Sequence, residues 1–227
     1  MLALDRLSSF GRLNSISCQL EPNKIYALIG PNGAGKTSLL KTISGVLPLS
    51  AGRVLFGGQD LGELSRRERS RLITLIPQNP KPQFPFTVRE LVEMGRYPHE
   101  GGWAVEEALE KTHLQELQHS RVTEISCGQL QQAYIARSLA TEARVLLLDE
   151  PTAHLDLAHR RLFWKLAHSI ASEGKILLCP LHHLDEAAEK CSEGLLLKGG
   201  RLLFQGPIRE ALSQERLSHA FGLREIA

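Results

Sequence analysis

Short apolar runs alternate along this chain with stretches whose apolar residues recur at helical spacing. Residues 25–29, 144–148 and 176–179 are almost entirely apolar, which predicts strands that are buried on both faces of a sheet. Residues 157–172 lie between two of these runs and have the periodicity of an amphipathic helix. Strands that alternate with helices in this way indicate an α/β fold with a largely parallel sheet.

Two regions depart from this alternation. Residues 2–20 alternate loosely between apolar and polar and predict two strands joined by a turn. Residues 87–140 have a helical pattern throughout, with Thr87 and Glu90 spaced as a capping box at its start. The chain is therefore expected to form one domain, residues 1–227, made of an α/β core (1–86 and 141–227) and an inserted helical subdomain (87–140).

The clearest candidate for chemistry is the glycine-rich turn after the first buried run. Gly30, four further residues, and then Gly35-Lys36-Thr37 have the spacing of a phosphate-binding loop, with a strand before it and a helix after it. Glycines let backbone N–H groups converge on an anion, and the helix adds its positive N-terminal end. The candidate nucleotide-binding residues are Gly30, Pro31, Asn32, Gly33, Ala34, Gly35, Lys36, Thr37 and Ser38.

A pair of carboxylates follows the apolar run at residues 144–148. Asp149 and Glu150 are expected at the C-terminal end of a strand, where open α/β sheets bind ligands. We expect Lys36 to reach the β- and γ-phosphates, Thr37 and Asp149 to hold Mg²⁺, and Glu150 to accept a proton from the attacking water. The alternatives are a glycine turn without a ligand and an ordinary surface Asp-Glu pair. Both patterns in one chain favour nucleotide chemistry.

Composition and charge exclude some classes of protein. The formal net charge of +2 over 227 residues is too small to indicate a protein that binds nucleic acid. No apolar run approaches the ~20 residues needed to span a bilayer, and the first residues lack the apolar core of a signal peptide. Cys18, Cys127, Cys179 and Cys191 form no Cys-x-x-Cys pair, so we expect free thiols in a reducing cytosol.

The order of motifs resembles the ATPase subunit of ATP-binding cassette (ABC) transporters over nearly the whole chain. Residues 30–37 match the Walker A motif, and residues 145–150 match the Walker B motif. The other matches are the Q-loop glutamine (Gln78), the Leu-Ser-Gly-Gly-Gln signature (Ser126, Cys127, Gly128 and Gln129, after Ile125), the D-loop (153–156, with Asp156) and the switch histidine (His182). Six motifs in the right order are more specific than any one of them.

This resemblance implies a P-loop NTPase core with a mainly parallel sheet, an antiparallel β subdomain and an inserted helical subdomain. It implies that ATP is the nucleotide, that Glu150, His182 and Gln78 are catalytic, and that Gln78 joins Thr37 and Asp149 around Mg²⁺. A helix N-terminus that presents Ser126 suits a γ-phosphate held by a second chain. The implied assembly is a head-to-tail dimer with ATP between the Walker A motif of one chain and the signature of the other.

Three segments of the chain, the longest of them between the Q-loop and the signature, have a closer resemblance to one group of ABC ATPases. Residues 84–99 resemble importers of iron-siderophores, haem and cobalamin, and so do residues 151–156 and 181–182. This implies a peripheral subunit on the cytoplasmic side of the inner membrane, working with an integral membrane permease and, indirectly, with an extracytoplasmic substrate-binding protein. Residues 78–96 would then receive the permease's coupling helix. The alternative for this stretch is a proline-bounded helix that packs on the core.

Several positions depart from the family pattern, and one family feature has only a weak match. Cys127 replaces the first glycine of the signature pair, and His183 stands where an aspartate usually follows the switch histidine. Phe10 is the best candidate for an aromatic ring that stacks on adenine. The alternatives are therefore an ABC ATPase of another importer or of an exporter, and a nucleotide-gated subunit whose hydrolysis is weakened by Cys127.

Overall fold

The computed structural model describes residues 1–78, 80–82, 84–99, 103–153 and 155–222 of the 227-residue chain. In chain order its strands are β1 (Leu2–Ser9), β2 (Leu13–Leu20), β3 (Lys24–Ile29), β4 (Ala51–Phe56), β5 (Gln59–Asp60), β6 (Ile73–Ile76), β7 (Val145–Leu148), β8 (Ile176–Pro180), β9 (Glu193–Lys198) and β10 (Arg201–Pro207). Its α-helices are α1 (Lys36–Ser44), α2 (Arg66–Leu72), α3 (Val88–Glu93), α4 (Trp103–Lys111), α5 (Cys127–Ala140), α6 (Leu157–Ser172), α7 (Leu184–Lys190), α8 (Ile208–Ala211) and α9 (Gln214–Phe221).

The central sheet has six strands in the order β10-β9-β3-β8-β7-β6. Neighbouring strands are parallel except in the hairpin of β9 and β10. The apolar runs form strands buried on both faces: in β7, Val145 and Leu147 belong to one hydrophobic core, and Leu146 and Leu148 belong to the other. The predicted α/β fold with a mainly parallel sheet is therefore confirmed.

A second sheet is antiparallel, with the strand order β2-β1-β4-β5. The two strands predicted over residues 2–20 are its first pair. Alternation places Leu2 and Leu4 in the same core as one face of the central sheet and the buried side of α1. A register shift between Leu4 and Leu7 brings Leu7 to that core as well. The antiparallel sheet thus packs beside the phosphate loop, and the turn between β1 and β2 reaches that loop.

The segment predicted as helical contains α3, α4 and α5, which contact one another. Val92, Leu109 and Ile135 contribute one apolar residue from each helix to the core on the other face of the central sheet. The capping box is confirmed, because Thr87 Oγ1 accepts from the Glu90 N–H at 3.2 Å and Glu90 Oε2 accepts from the Thr87 N–H at 2.7 Å.

The helix that follows Thr87 is short. Its α-helical part ends at Glu93, and residues 94–96 form a 3-10 turn. Gly95 lies in that turn against α5, where a Cβ would be 2.2 Å from the Arg137 carbonyl oxygen. This close approach to α5 leaves no room for a side chain at position 95.

Candidate functional site

The phosphate loop connects β3 to α1 and curves around a cleft of 510 Å³. Residues 32–38 line the cleft, so seven of the nine predicted nucleotide-binding residues face it. Gly35 is the N-cap of α1 at a φ of 102°, a left-handed conformation that favours glycine. No side chain caps this helix, which leaves its first backbone N–H groups directed at the cleft.

Lys36 is held inside the loop. Its Nζ donates hydrogen bonds to the carbonyl oxygens of Gly30 at 2.7 Å and Pro31 at 3.1 Å, so these two predicted residues contribute carbonyls at the base of the loop. Burial lowers the pKa of Lys36, while the charges of Glu150 and Asp149 act in the opposite direction. The loop therefore combines a fixed cation with converging N–H groups, as an anion site requires.

Thr37 and Asp149 meet at the end of β7. Thr37 Oγ1 donates to Asp149 Oδ1 at 3.1 Å, and Asp149 is only 6% exposed. Burial raises the pKa of the Asp149 carboxyl, and the hydrogen bond from Thr37 opposes this shift. A hydroxyl and a carboxylate oxygen are hard ligands that fit Mg²⁺, which takes few protein ligands and completes its shell with water and phosphate oxygens. These two residues are therefore suited to hold the ion.

Glu150 lies between the other two candidate catalytic residues. Gln78 Nε2 donates to Glu150 Oε2 at 2.6 Å, and His182 Nε2 lies 2.6 Å from Glu150 Oε1. An ionised carboxylate only accepts, so His182 Nε2 carries the proton in this pair. The three residues follow β6, β7 and β8, which are neighbours in the sheet. The parallel sheet thus gathers them at its C-terminal edge.

The signature residues lie at the start of α5, away from the phosphate-loop cleft. Ser126 caps the helix by accepting from the Gln129 N–H at 3.2 Å, and Gln129 Oε1 accepts from the Ser126 N–H at 2.9 Å. Gly128 allows close contact with α6, since a Cβ there would lie 2.6 Å from the His159 ring. Ser126, Cys127, Gly128 and Gln129 are not among the described residues that line the cleft.

Asp156 of the predicted D-loop is the N-cap of α6. Its Oδ1 accepts from the backbone N–H of His159 at 2.8 Å and lies 2.9 Å from His159 Nδ1. His159 in turn packs against Gly128, so Asp156 is connected to the signature helix through one side chain. His154, the second residue of the D-loop, lies outside the described residues.

The sequence profile of the ABC transporter family matches residues 13–153. The chain belongs to the ABC transporter family. This match covers more than half of the sequence and includes the phosphate loop, Gln78, the signature and the two carboxylates.

Individual ABC proteins resemble the chain over most of its length. The cobalamin import ATP-binding protein BtuD of Halobacterium salinarum is 36% identical over 93% of this chain, which spans only 55% of that protein's own length. The hemin import ATP-binding protein HmuV of Agrobacterium fabrum is 35% identical, over 93% of this chain and 85% of its own length. The solved structure of cbiO1 from Clostridium perfringens, part of an ABC transporter complex, has a TM-score of 0.83 and 27% identity, over 99% of this chain and 95% of that one.

The structure adds residues to this ABC site that the sequence did not indicate. Gly11, Arg12, Gly199 and Gly200 line the phosphate-loop cleft, although they come from two distant hairpin turns. These turns touch, since a Cβ at Gly200 would lie 2.4 Å from the Arg12 carbonyl oxygen. The glycine pair between β9 and β10 was the one feature of the sequence that could have indicated these cleft residues.

Within the described residues, no helix has the length and apolar character needed to cross a bilayer.

Proposed function

We propose that this chain is an ATP-hydrolysing subunit that powers a membrane importer. The observation that carries the proposal is the position of Glu150, between Gln78 and His182 and in the lining of the phosphate-loop cleft. A carboxylate at this point can accept a proton from water beside a terminal phosphate. A positioned general base contributes about 10²–10⁴-fold to the rate of such a reaction.

The remaining residues of the cleft are proposed to have separate roles in phosphate transfer. The N–H groups of residues 32–38 and the Lys36 ammonium bind the β- and γ-phosphates of ATP. Thr37 and Asp149 hold Mg²⁺, which neutralises phosphate charge when bound, and Gln78 is proposed to join its shell. Glu150 takes the proton of the attacking water, and His182 orients the Glu150 carboxylate through its Nε2–H. Phe10, in the turn beside the cleft, is proposed to stack on adenine.

The signature is proposed to act on ATP held by a second copy of the chain. Ser126, Cys127, Gly128 and Gln129 are at the N-terminus of a 14-residue helix, where backbone N–H groups and the helix dipole favour an anion. Because they do not line the cleft of their own chain, a head-to-tail dimer is needed to bring them to a γ-phosphate. Asp156, beside the signature helix, is proposed to lie at the same dimer contact.

The cargo is proposed to be a metal chelate of the iron-siderophore, haem or cobalamin type. The relatives named for cobalamin and hemin import support this, as does the sequence of residues 84–99. The subunit would bind an integral permease at the cytoplasmic face of the inner membrane, with residues 78–96 as the docking segment. An extracytoplasmic binding protein would deliver the cargo to that permease.

The first test is the rate of Mg-ATP hydrolysis as a function of protein concentration. We expect the rate to rise as roughly the square of the concentration, because each site needs residues from two chains. Glu150→Gln is expected to abolish turnover while stabilising an ATP-bound dimer, since the amide has nearly the same size as the carboxylate but cannot accept the proton. Unchanged turnover in this variant would rule out the proposed mechanism.

A second function, a nucleotide-gated subunit with weak hydrolysis, rests on Cys127. Its side chain is exposed on the first turn of α5, where the family pattern has glycine. If the wild-type rate is flat and low, Cys127→Gly separates the two functions. A strong gain of activity would show that the thiol disables the signature, whereas no gain would indicate a subunit that requires its permease.

A further inference from the structure

A separate cavity, of 240 Å³, lies at the N-terminal edge of the central sheet, opposite the edge that carries Glu150. Helices α4 and α5 form one side of it, and the residues just before β7 and β8 form the other. It shares no described lining residue with the phosphate-loop cleft. The charged residues in its described lining are Glu107, Lys111, Glu142, Arg144, Glu173 and Lys175.

The three carboxylates of this lining already have cationic partners. Lys111 Nζ donates to Glu173 Oε1 at 2.8 Å and lies 3.0 Å from Glu107 Oε1. Arg96, which is not a residue of the lining, donates to Glu142 Oε2 at 2.5 Å. Two carboxylates therefore share the Lys111 ammonium, and the third has a guanidinium of its own.

Arg144 and Lys175 are the charged residues of the lining that remain. They directly precede β7 and β8, and the Ile176 N–H donates to the Arg144 carbonyl oxygen at 2.9 Å. Paired strands are about 5 Å apart, so the two cations start side by side. Among the described residues, neither side chain makes a hydrogen bond or an ion pair. Two adjacent cations without a counter-ion favour an anionic ligand in this cavity.

Lys175 is also suited to act as a nucleophile. The residue is half-buried, and burial lowers the pKa of its ammonium. The charges of Lys111 and Arg144 act in the same direction, while those of Glu173 and Glu142 oppose the shift. A lowered pKa increases the share of neutral amine, which is the form that attacks a carbonyl carbon. Arg144 stays charged, so the pair offers a fixed cation beside a nucleophilic nitrogen.

We propose that this cavity binds small acyl phosphates and that Lys175 is acylated by them. The Arg144 guanidinium donates hydrogen bonds to the phosphate group, whose geometry it matches. This contact holds the acyl carbonyl carbon beside Lys175 Nζ. The volume favours a compact donor such as acetyl phosphate, because pockets for drug-sized ligands measure about 300–1,000 Å³.

The reaction converts the lysine amine into an amide. The Lys175 ammonium first loses a proton to solvent. The nitrogen then bonds to the carbonyl carbon, and the bond between that carbon and the phosphate oxygen breaks. The phosphate leaves with the electron pair and takes a second proton from the nitrogen. Acylation therefore removes the positive charge of Lys175 and releases inorganic phosphate.

The test follows acetylation of the purified full chain by acetyl phosphate, with peptide mass spectrometry to resolve each lysine. We expect the rate at Lys175 to saturate with donor concentration and to exceed the rate at Lys165, an exposed lysine of α6. Inorganic phosphate should slow acetylation at Lys175 and not at Lys165, because it competes for the Arg144 guanidinium. A rate at Lys175 no higher than at Lys165, or no protection by phosphate, would overturn the proposal.

A second measurement separates binding of the donor from reactivity of the amine. Acetic anhydride carries no phosphate, so the ratio of the Lys175 rates with acetyl phosphate and with acetic anhydride measures the contribution of the phosphate contact. Arg144→Gln should lower this ratio at least about tenfold, the effect of losing a hydrogen bond to a charged group. Arg161→Gln is the matched control, since this exposed arginine lies outside the cavity lining, and it should leave the ratio unchanged.

An unchanged ratio in Arg144→Gln, or an equal fall in both variants, would likewise overturn the proposal. Neither measurement involves ATP hydrolysis or a second copy of the chain. The result is therefore independent of the proposed function.

Discussion

At the scale of single residues, the phosphate loop accepts a side chain at one glycine and not at another. A Cβ at Gly30 would lie 2.2 Å from the Leu197 carbonyl oxygen, so alanine there must push the loop away from β9. A Cβ at Gly33 meets nothing within 4 Å, although the φ of 77° disfavours alanine. We expect Gly30→Ala to lower the free energy of unfolding by about 3 kcal/mol and Gly33→Ala by about 1 kcal/mol. Urea unfolding of both variants measures this difference, and equal losses would contradict it.

At the scale of elements, Glu186 ties α7 to α6 and to the loop after β7. Its carboxylate accepts from the Trp164 indole N–H at 2.8 Å and from Thr152 Oγ1 at 3.0 Å. The side chain is 9% exposed, so water competes little for these bonds. Thr152 follows Glu150 by two residues, and α7 begins two residues after His182. Glu186 therefore fixes the relative position of the two loops that carry the proposed base and its partner.

Replacement of Glu186 by leucine tests this connection between elements. Glu186→Leu leaves the Trp164 and Thr152 donors without an acceptor, and we expect a loss of about 3 kcal/mol in the free energy of unfolding. Glu189→Leu, on the exposed side of the same helix, should change it by less than about 0.5 kcal/mol. Urea unfolding provides the comparison. A similar loss in both variants would indicate a general effect of leucine in α7 and not the loss of a buried acceptor.

Local patterns were sufficient to predict most elements of this fold. A capping box such as Thr87 with Glu90 acts within four residues, and an apolar run such as β7 signals burial by composition alone. The contact of Glu150 with Gln78 and His182 depends on the strand order β6-β7-β8, which no local pattern encodes.

At the scale of the whole molecule, two exposed aromatic residues belong to the proposed docking segment, residues 78–96, or directly follow it. Phe84 is 62% exposed and Tyr97 is 78% exposed. Such residues are common anchors of protein interfaces, so we expect the double change Phe84→Asp and Tyr97→Asp to weaken binding to the permease by at least about tenfold. Permease-containing vesicles sedimented with the subunit give the bound fraction. Val46→Asp, at another exposed apolar position, is the control and should bind normally.

The place of β3 in the central sheet has a consequence for how the chain is made. Among the described strands, β3 pairs only with β8 and β9, whose residues follow it from position 176 onwards. A ribosome that adds ~5–20 residues per second needs on the order of ten seconds to translate the intervening chain. Throughout that interval the phosphate loop has neither of its neighbouring strands. We therefore expect a nascent chain to bind ATP only after β9 has left the ribosome, and we expect chains that end before β9 not to compete for the nucleotide.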